Sequence, residues 1–446
     1  MTVRFLHAAD VHLGYEQYGL SERYDDFARA FERLVDDAIA RRVHAVLLAG
    51  DLFHKRVIQP RTLLQATALL GRLREAGICV LAVQGNHDRP YRQEGFSWLD
   101  YLAEAGYWAL LTPYYEAGEM ILDAWEPESK QGAYLDLPEG VRIIGLPYSG
   151  ATTPRLVADL ARALNNAPKP RPAYTVLMMH AGLQGILDNY GASLSRAHLE
   201  ALRPHIDYMA FGHIHKPFEQ DGWIYNPGSL ETTNITELQW PERGYYYVEI
   251  DPRRDPPHRV ERIIARRRPF ISLPFSVDAY ETPQALEQAL GAFLTQQRTS
   301  APKPQEGLRP DEARPVVELR LMGTLPFSRA ELQIPLLQEM VAQAFDALLC
   351  NVRDQTVPRE FEIRSNEQLN REELERFVLR ELVEREPRHR AFSQSWTEMI
   401  RRIKQLSLSG AAPQEIIAEL RAFRQYLAEA EEDEDLGEDM GETDEC

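Results

Sequence analysis

An α/β domain built on a parallel sheet, then a small α+β module and a wholly helical end, is the fold class that this 446-residue sequence predicts. Three observations predict it. Strand-like apolar runs alternate with helical spacing over the first hundred residues, composition changes abruptly at "DPRRDPPHRVERIIARRRPF", and from Asn370 onward only helical periodicity remains.

Taken in order, "VRFLHAA" reads as an apolar strand, and Glu22 to Arg41 as a helix with Phe27, Phe31, Leu34, Val35 and Ala38 on one face. "HAVLLAG" is a buried strand, Arg61 to Ala76 a helix and "GICVLAVQG" a third strand. A β-α-β-α-β order implies parallel strands joined by right-handed crossovers, which places function in the loops at their carboxyl ends. The runs "EMILDAW", "VRIIGLPY", "YTVLMMH", "IDYMAFGH", "WIYNPGS" and "GYYYVEI" suffice for a second sheet, so the first domain is expected over residues 1–268.

The boundary stretch combines prolines with seven arginines. After it, "FISLPFSVD", a helix around Pro283 to Gln297 and "PVVELRLMG" predict a small α+β module over 269–357, with the Pro-rich "APKPQEGLRPDEARP" as a loop inside it. A helical segment is expected over 358–428. Its three apolar stripes are Leu374, Phe377, Val378 and Leu382; Phe392, Trp396, Met399, Ile400 and Ile403; and Ile416, Leu420, Phe423 and Leu427 behind Pro413. Residues 429–446 hold eleven acids and no Lys or Arg, and are expected to be a solvated, disordered tail.

The formal charge of −18 resides largely in that tail, and without it 57 acids stand against 50 bases, so a polyanionic partner is not excluded. No apolar run approaches the roughly 20 residues that span a bilayer, and the amino terminus lacks the charged-then-apolar pattern of a leader. Neither membrane nor secretion is indicated. Cys79, Cys350 and Cys446 are scattered without a CxxC pair, which argues for a reducing compartment, the cytoplasm, and against a thiolate metal site.

Each strand of the first domain that ends in a loop ends in a candidate metal ligand: Asp10 and His12, Asp51, Asn86 and His87, His180, and His213 with His215. In the Asp10-x-His12 and His213-x-His215 pairs, a spacing of two on an ending strand points both side chains the same way. Two aspartates carry −2 and two divalent ions +4, which leaves about +2 for a phosphate diester, and Asp51 can bridge the ions. Imidazole-rich ligation favours manganese, iron or zinc over magnesium. A neighbouring free imidazole, His87, suits proton transfer to the leaving oxygen, with Asp88 as an acceptor that orients its ring.

Taken together, D-x-H, GD, GNHD, H and GHxH in this order resemble the calcineurin-like metallophosphoesterases. The flanking words "HAADVHLGY", "GDLFHKR", "GHIHKP" and "NPGS" narrow the resemblance to the SbcD / Mre-eleven type of double-strand-break repair nuclease. The motifs span residues 10 to 215, and the later segments resemble the family in layout only. The resemblance implies a four-layer α/β/β/α sandwich with a capping, DNA-binding α+β domain and a C-terminal helical segment. It also implies two Mn2+ ions (Mg2+, Fe2+ or Zn2+ as substitutes), exonuclease and endonuclease activity on DNA ends and hairpins, and a homodimer. The C-terminal helices would dock an SMC-like ATPase of the SbcC / Rad-fifty type. Carried over by motif, one ion takes Asp10, His12, Asp51 and His215, the other Asp51, Asn86, His180 and His213; His87 is the catalytic histidine and His54 matches a family histidine near the site.

Blander readings compete. A lone D-x-H or H-x-H is usually an accident of a loop, and only the ordered set of five motifs reverses that. His7, His44, His198, His205, His258 and His389 belong to no motif and are read as structural. Lys55, Arg56, Arg89, Arg92 and Lys216 directly follow metal motifs and are candidates for holding flanking phosphates, or else are solvated loop charges. The arginines of the boundary stretch track a duplex backbone or face water. Two rival functions remain: a phosphodiesterase of the same superfamily acting on cyclic nucleotides or other small molecules, and a non-catalytic DNA-end tether.

Overall fold

Both faces of the first strand are apolar, and the structure uses both. In the computed structural model, which describes residues 2–91, 95–167, 170–187, 194–301, 303–358, 371–384 and 389–438, strand β1 (Val3–Ala8) turns Val3 and Phe5 to one side and Leu6 and Ala8 to the other, all buried. It is followed by β2 (Ala45–Leu48), β3 (Cys79–Ala82), β4 (Ala109–Leu110), and a hairpin of β5 (Tyr114–Glu116) and β6 (Glu119–Ile121). Then come β7 (Tyr134–Leu137), β8 (Val141–Leu146), β9 (Tyr174–His180), β10 (Tyr208–Gly212), β11 (Phe218–Gln220), β12 (Ile224–Asn226), β13 (Gly244–Ile250) and β14 (His258–Ile264).

Two six-stranded sheets result, ordered β14-β13-β1-β2-β3-β4 and β11-β12-β10-β9-β8-β7. Strands β1 to β4 run parallel, as do β8, β9, β10 and β12, so each sheet gathers carboxyl ends along one edge. Phe31 and Leu34 of helix α1 (Ser21–Arg41) and Leu70 and Leu73 of α2 (Pro60–Glu75) cover the outer face of the first sheet, joined by Leu99 of α3 (Trp98–Glu104). Leu160 of α4 (Thr153–Asn166) and Leu199 of α5 (Arg196–Glu200) cover the second. Between the sheets lie Phe5, Leu47, Val176, Met178 and Tyr208. This is the four-layer α/β/β/α sandwich, and burial on two faces explains why its strands read as continuous apolar runs.

Beyond it, β15 (Phe270–Ser276), β16 (Val316–Leu325) and β17 (Leu349–Pro358) form a three-stranded sheet, with helices α6 (Pro283–Ser300) and α7 (Ile334–Phe345) between them in sequence. The last strand and α7 are additions to the expected module. By compactness the chain divides into one unit of 1–275, 288–320 and 333–353 and another of 276–287, 321–332 and 354–446. Two of the boundary arginines are tied into the larger unit. Arg268, buried, grips Asp26 of α1 at 2.6 and 2.9 Å and donates to the carbonyls of Asp311 and Arg314, while Arg267 donates to the carbonyls of Arg243 and Pro241. These two hold the fold and are not available to track a duplex. The Pro-rich loop is likewise bound, through Asp311 to Arg29 and Glu312 to Arg33.

Asp26 also takes Arg23 at 2.6 Å, and all three side chains are essentially inaccessible. Asp26→Ala leaves buried Arg268 with carbonyl partners alone and takes from Arg23 one of its two carboxylates, Glu231 being the other, and is expected to lower stability by about 3–5 kcal/mol. A urea-unfolding midpoint no lower than that of the parent would contradict this.

In the smaller unit, helices Arg371–Glu384, Ser393–Leu408 and Pro413–Glu438 follow the three predicted stripes. Trp396 meets Phe423 edge-on at 4.8 Å, and Arg376–Glu398, Lys404–Glu375 and Arg402–Glu419 pair between helices. The last helix takes in the first ten residues of the stretch expected to be disordered, because Ala and Glu propagate a helix that is already nucleated. Residues 439–446 of that stretch lie outside the described residues. No helix among the described residues is long and apolar enough to cross a membrane.

Candidate metal centre

Four of the candidate ligands sit in left-handed backbone: Asp10 (φ 54°), His12 (54°), Asp51 (56°) and His213 (87°). Strand alternation is therefore not what makes the D-x-H and H-x-H pairs converge. Strands β1, β2 and β10 end at Ala8, Leu48 and Gly212, and the ligands lie where the chain turns beyond them. Such conformations cost of order 1–3 kcal/mol each and persist only where neighbours enforce them. Here the first two loops are zipped together: Asp10 N–H donates to Gly50, Val11 and His12 N–H to Asp51, and Leu13 N–H to Leu52. A Cβ on Gly85 would lie 2.1 Å from Asp51 Oδ1, and one on Gly50 2.3 Å from His180 Nδ1, so glycine precedes Asp51 and Asn86 for want of room.

Asp88 completes the clamp. Its Oδ2 accepts the amides of Asp51 (2.7 Å), Leu52 (3.3 Å) and Gly85 (3.1 Å), and its Oδ1 that of Phe53 (3.1 Å). This corrects its expected role: the His87 ring is oriented not by Asp88 but by the His54 carbonyl, 2.6 Å from His87 Nδ1. The carboxylate is fully committed to amides of the two ligand-bearing loops.

Three groups of convergent donors form among the described residues, two with a carboxylate (Asp10, His12 and His215; Asp51, His180 and His213) and one of imidazoles alone (His12, His54 and His87). In the first, His12 Nε2 stands 3.1 Å from His215 Nε2, which is 3.8 Å from Asp10 Oδ1. In the second, His180 Nε2 stands 3.1 Å from Asn86 Oδ1 and 3.2 Å from Asp51 Oδ2. His180 Nδ1 faces the Ala49 carbonyl at 2.7 Å, which can only accept, so Nδ1 carries the proton and Nε2 turns a lone pair toward two oxygens. His215 Nδ1 faces Glu237 Oε1 at 2.7 Å with the same consequence. Lone pairs crowded like this need positive charge among them; a proton serves one pair at a time, whereas a metal ion serves a whole cluster. His12 Nδ1, buried, has no partner among the described residues. The donor set fits divalent cations.

The electrostatics agree. Burial lowers His180, but the charge and hydrogen bond of Asp51 override it and push the imidazole up to about 9, while Asp51, despite burial, is held well below the usual carboxylate range by His180. Burial and the His180 charge pull His213 down to about 3, which keeps its lone pair available.

His54 stacks on Tyr15 at 3.7 Å and lies beside the His12 and His87 rings; burial and the His87 charge lower it to about 4. Lys55, Arg56 and Arg89 are exposed next to the ligand loops, Arg56 reaching the Asn86 carbonyl at 3.4 Å. Lys216 instead turns inward and donates to the Ile186 carbonyl. Arg92 lies outside the described residues. The histidines read as structural have structural partners: His7 bonds Tyr208 and Phe211, His258 bonds Tyr174 and Tyr225, and burial lowers His7 to about 3.

Sequence reasoning missed Glu237, Thr233 and Arg243. Glu237 lies in a short 3-10 turn (Ile235–Gln239) with no periodicity to mark it. A partial signal was the "NPGS" word nearby, whose Asn226 amide donates to the carbonyls of Ile214 and Lys216 and so braces the His213–His215 loop from below.

Residues 3–217 match the family model described as "Calcineurin-like phosphoesterase". Similar proteins include the DNA double-strand break repair protein Mre11 of Haloferax volcanii, 47% identical over 279 residues (61% of this chain, 53% of that protein). That of Archaeoglobus fulgidus is 33% identical over 243 residues (53% and 52%), and that of Aeropyrum pernix 28% over 334 (73% and 75%). The alignments thus span about half of the first two proteins and three quarters of the third. Among solved structures, the calcineurin-like phosphoesterase YfkN from Bacillus subtilis matches with a TM-score of 0.35 at 12% identity, over 56% of this chain and 84% of that one.

Proposed function

We propose that the chain, whose residues 3–217 match the calcineurin-like phosphoesterase model, is a two-metal DNA nuclease of the Mre11 type, both exonuclease and endonuclease, that acts in double-strand-break repair in the cytoplasm. The observation that carries this reading is the pair of lone-pair clusters, Asp10/His12/His215 and Asp51/His180/His213, on loops that also carry an imidazole outside both. Two divalent cations bound there, manganese in this reading, would polarise the phosphodiester and ease deprotonation of the attacking water. Asp51 and Asn86 would be among the residues that hold these ions, Asn86 without adding charge. His87, its Nδ1–H fixed on the His54 carbonyl, presents Nε2 to give a proton to the leaving oxygen. Lys55, Arg56 and Arg89 bind phosphates flanking the cut, and Arg92 is assigned there by sequence alone.

The C-terminal helices are read as the dock for an SMC-like ATPase of the SbcC / Rad-fifty type, and the chain as a homodimer working on DNA ends and hairpins. In support, Leu374, Leu382, Leu408, Ile417, Leu420 and Tyr426 leave apolar surface exposed on these helices.

End-labelled duplex and hairpin DNA, incubated with the chain and Mn2+ with and without the ATPase subunit and nucleotide, is expected to be cut, and a chelator to abolish cutting. Hydrolysis of a small diester but never of DNA would favour the small-molecule rival. DNA binding without any hydrolysis would favour the tether.

A further inference from the structure

We propose that Glu237 is a positioning residue which acts through His215 and makes the two metal sites unequal in affinity, an inference that rests on the two-metal reading above. Its buried carboxylate has no freedom to swing. One oxygen, Oε1, meets His215 Nδ1 at 2.7 Å and accepts the Thr233 hydroxyl, which itself lies 2.9 Å from the same ring nitrogen. The other, Oε2, accepts the Thr233 amide at 3.0 Å and the guanidinium of Arg243. Arg243, buried in turn, is fixed to Ser229 Oγ (2.8 Å), Thr232 Oγ1 (3.0 Å) and the carbonyls of Glu231 and Trp240. Both carboxylate oxygens are committed away from the ligand clusters, so Glu237 is not itself a ligand.

The asymmetry comes from the other cluster. There the corresponding nitrogen, His180 Nδ1, is oriented by the neutral Ala49 carbonyl at 2.7 Å. A carboxylate raises the donor strength of the imidazole it holds more than a carbonyl does, and loss of such a partner typically lowers metal affinity 10–100-fold. The ion of Asp10, His12 and His215 is therefore the tighter of the two, and only that ion depends on Glu237.

The test is stepwise Mn2+ binding by the full, metal-stripped chain, followed by titration calorimetry and by metal analysis after dialysis. The parent is expected to bind two ions of different affinity. Glu237→Gln, which keeps the volume, should weaken the tighter step by roughly 10–100-fold and leave the other unchanged. Thr233→Val, which keeps the Glu237–Arg243 pair, should weaken the same step less. Unchanged steps in both variants, or equal weakening of both steps with a lower melting temperature, would overturn the inference. If Glu237→Gln does not fold, Thr233→Val decides alone. A parent that binds no Mn2+ would instead sink the two-metal reading itself.

Discussion

His87→Ala is expected to slow DNA hydrolysis by ~10²–10⁴-fold, the usual contribution of a positioned general acid or base, while sparing metal content and DNA binding. The separation follows from which atoms of His87 the fold uses. Its backbone N–H donates to Asp51 Oδ1 at 2.9 Å and so steadies a ligand, but alanine retains that group. Its ring belongs to neither cluster that shares a carboxylate, and Nδ1 is bound to the His54 carbonyl, so one nitrogen alone faces the site. Single-turnover cleavage with saturating Mn2+, together with metal analysis, checks this. Cleavage at the parent's rate would refute the role. Loss of an ion would show a different one, because His87 also converges with His12 and His54, and that trio would then be a true ligand set.

The same site shows which parts of the molecule the chain's pattern made legible. The sheets were legible because strands buried on both faces have no room for polar residues, and the convergence of the candidate ligands because parallel strands deliver their carboxyl ends to one edge. What pattern could not carry was backbone conformation. Asp10, His12, Asp51 and His213 adopt φ values that no side-chain alternation encodes, so the pairs were found but for the wrong geometric reason. Strand β17, "LCNVRDQTVP", escaped notice because its exposed positions interrupt any apolar run. Arg267 and Arg268 look like their solvated neighbours in sequence, and only the tertiary position of Asp26 and of the loop carbonyls makes them internal. Glu237 was silent for the same reason, since its partner is 22 residues away along the chain.

Asp88 is where the expected and the observed role diverge most, and its replacement gives the broadest predicted effect. Asp88→Ala removes the common acceptor of four buried amides, those of Asp51, Leu52, Phe53 and Gly85. Each orphaned buried donor costs about 1–3 kcal/mol, and because the four share one acceptor and relax together, the expected loss is on the order of 3–5 kcal/mol rather than their sum. The loops most affected carry Asp51 and Asn86, and Asp51 is the residue held at φ 56°. Without the clamp it relaxes, and under the two-metal reading proposed above its displacement is expected to release metal, first from the cluster it forms with His180 and His213. Asp88→Asn keeps the shape but turns an NH2 toward N–H donors, so it should fall between parent and alanine. Melting curves and metal-to-protein ratios distinguish a clamp from a chemical participant. A clamp lowers the melting temperature and the metal content together, whereas a group that only tunes His87 slows hydrolysis with both unchanged, and that second outcome would restore the role the sequence suggested.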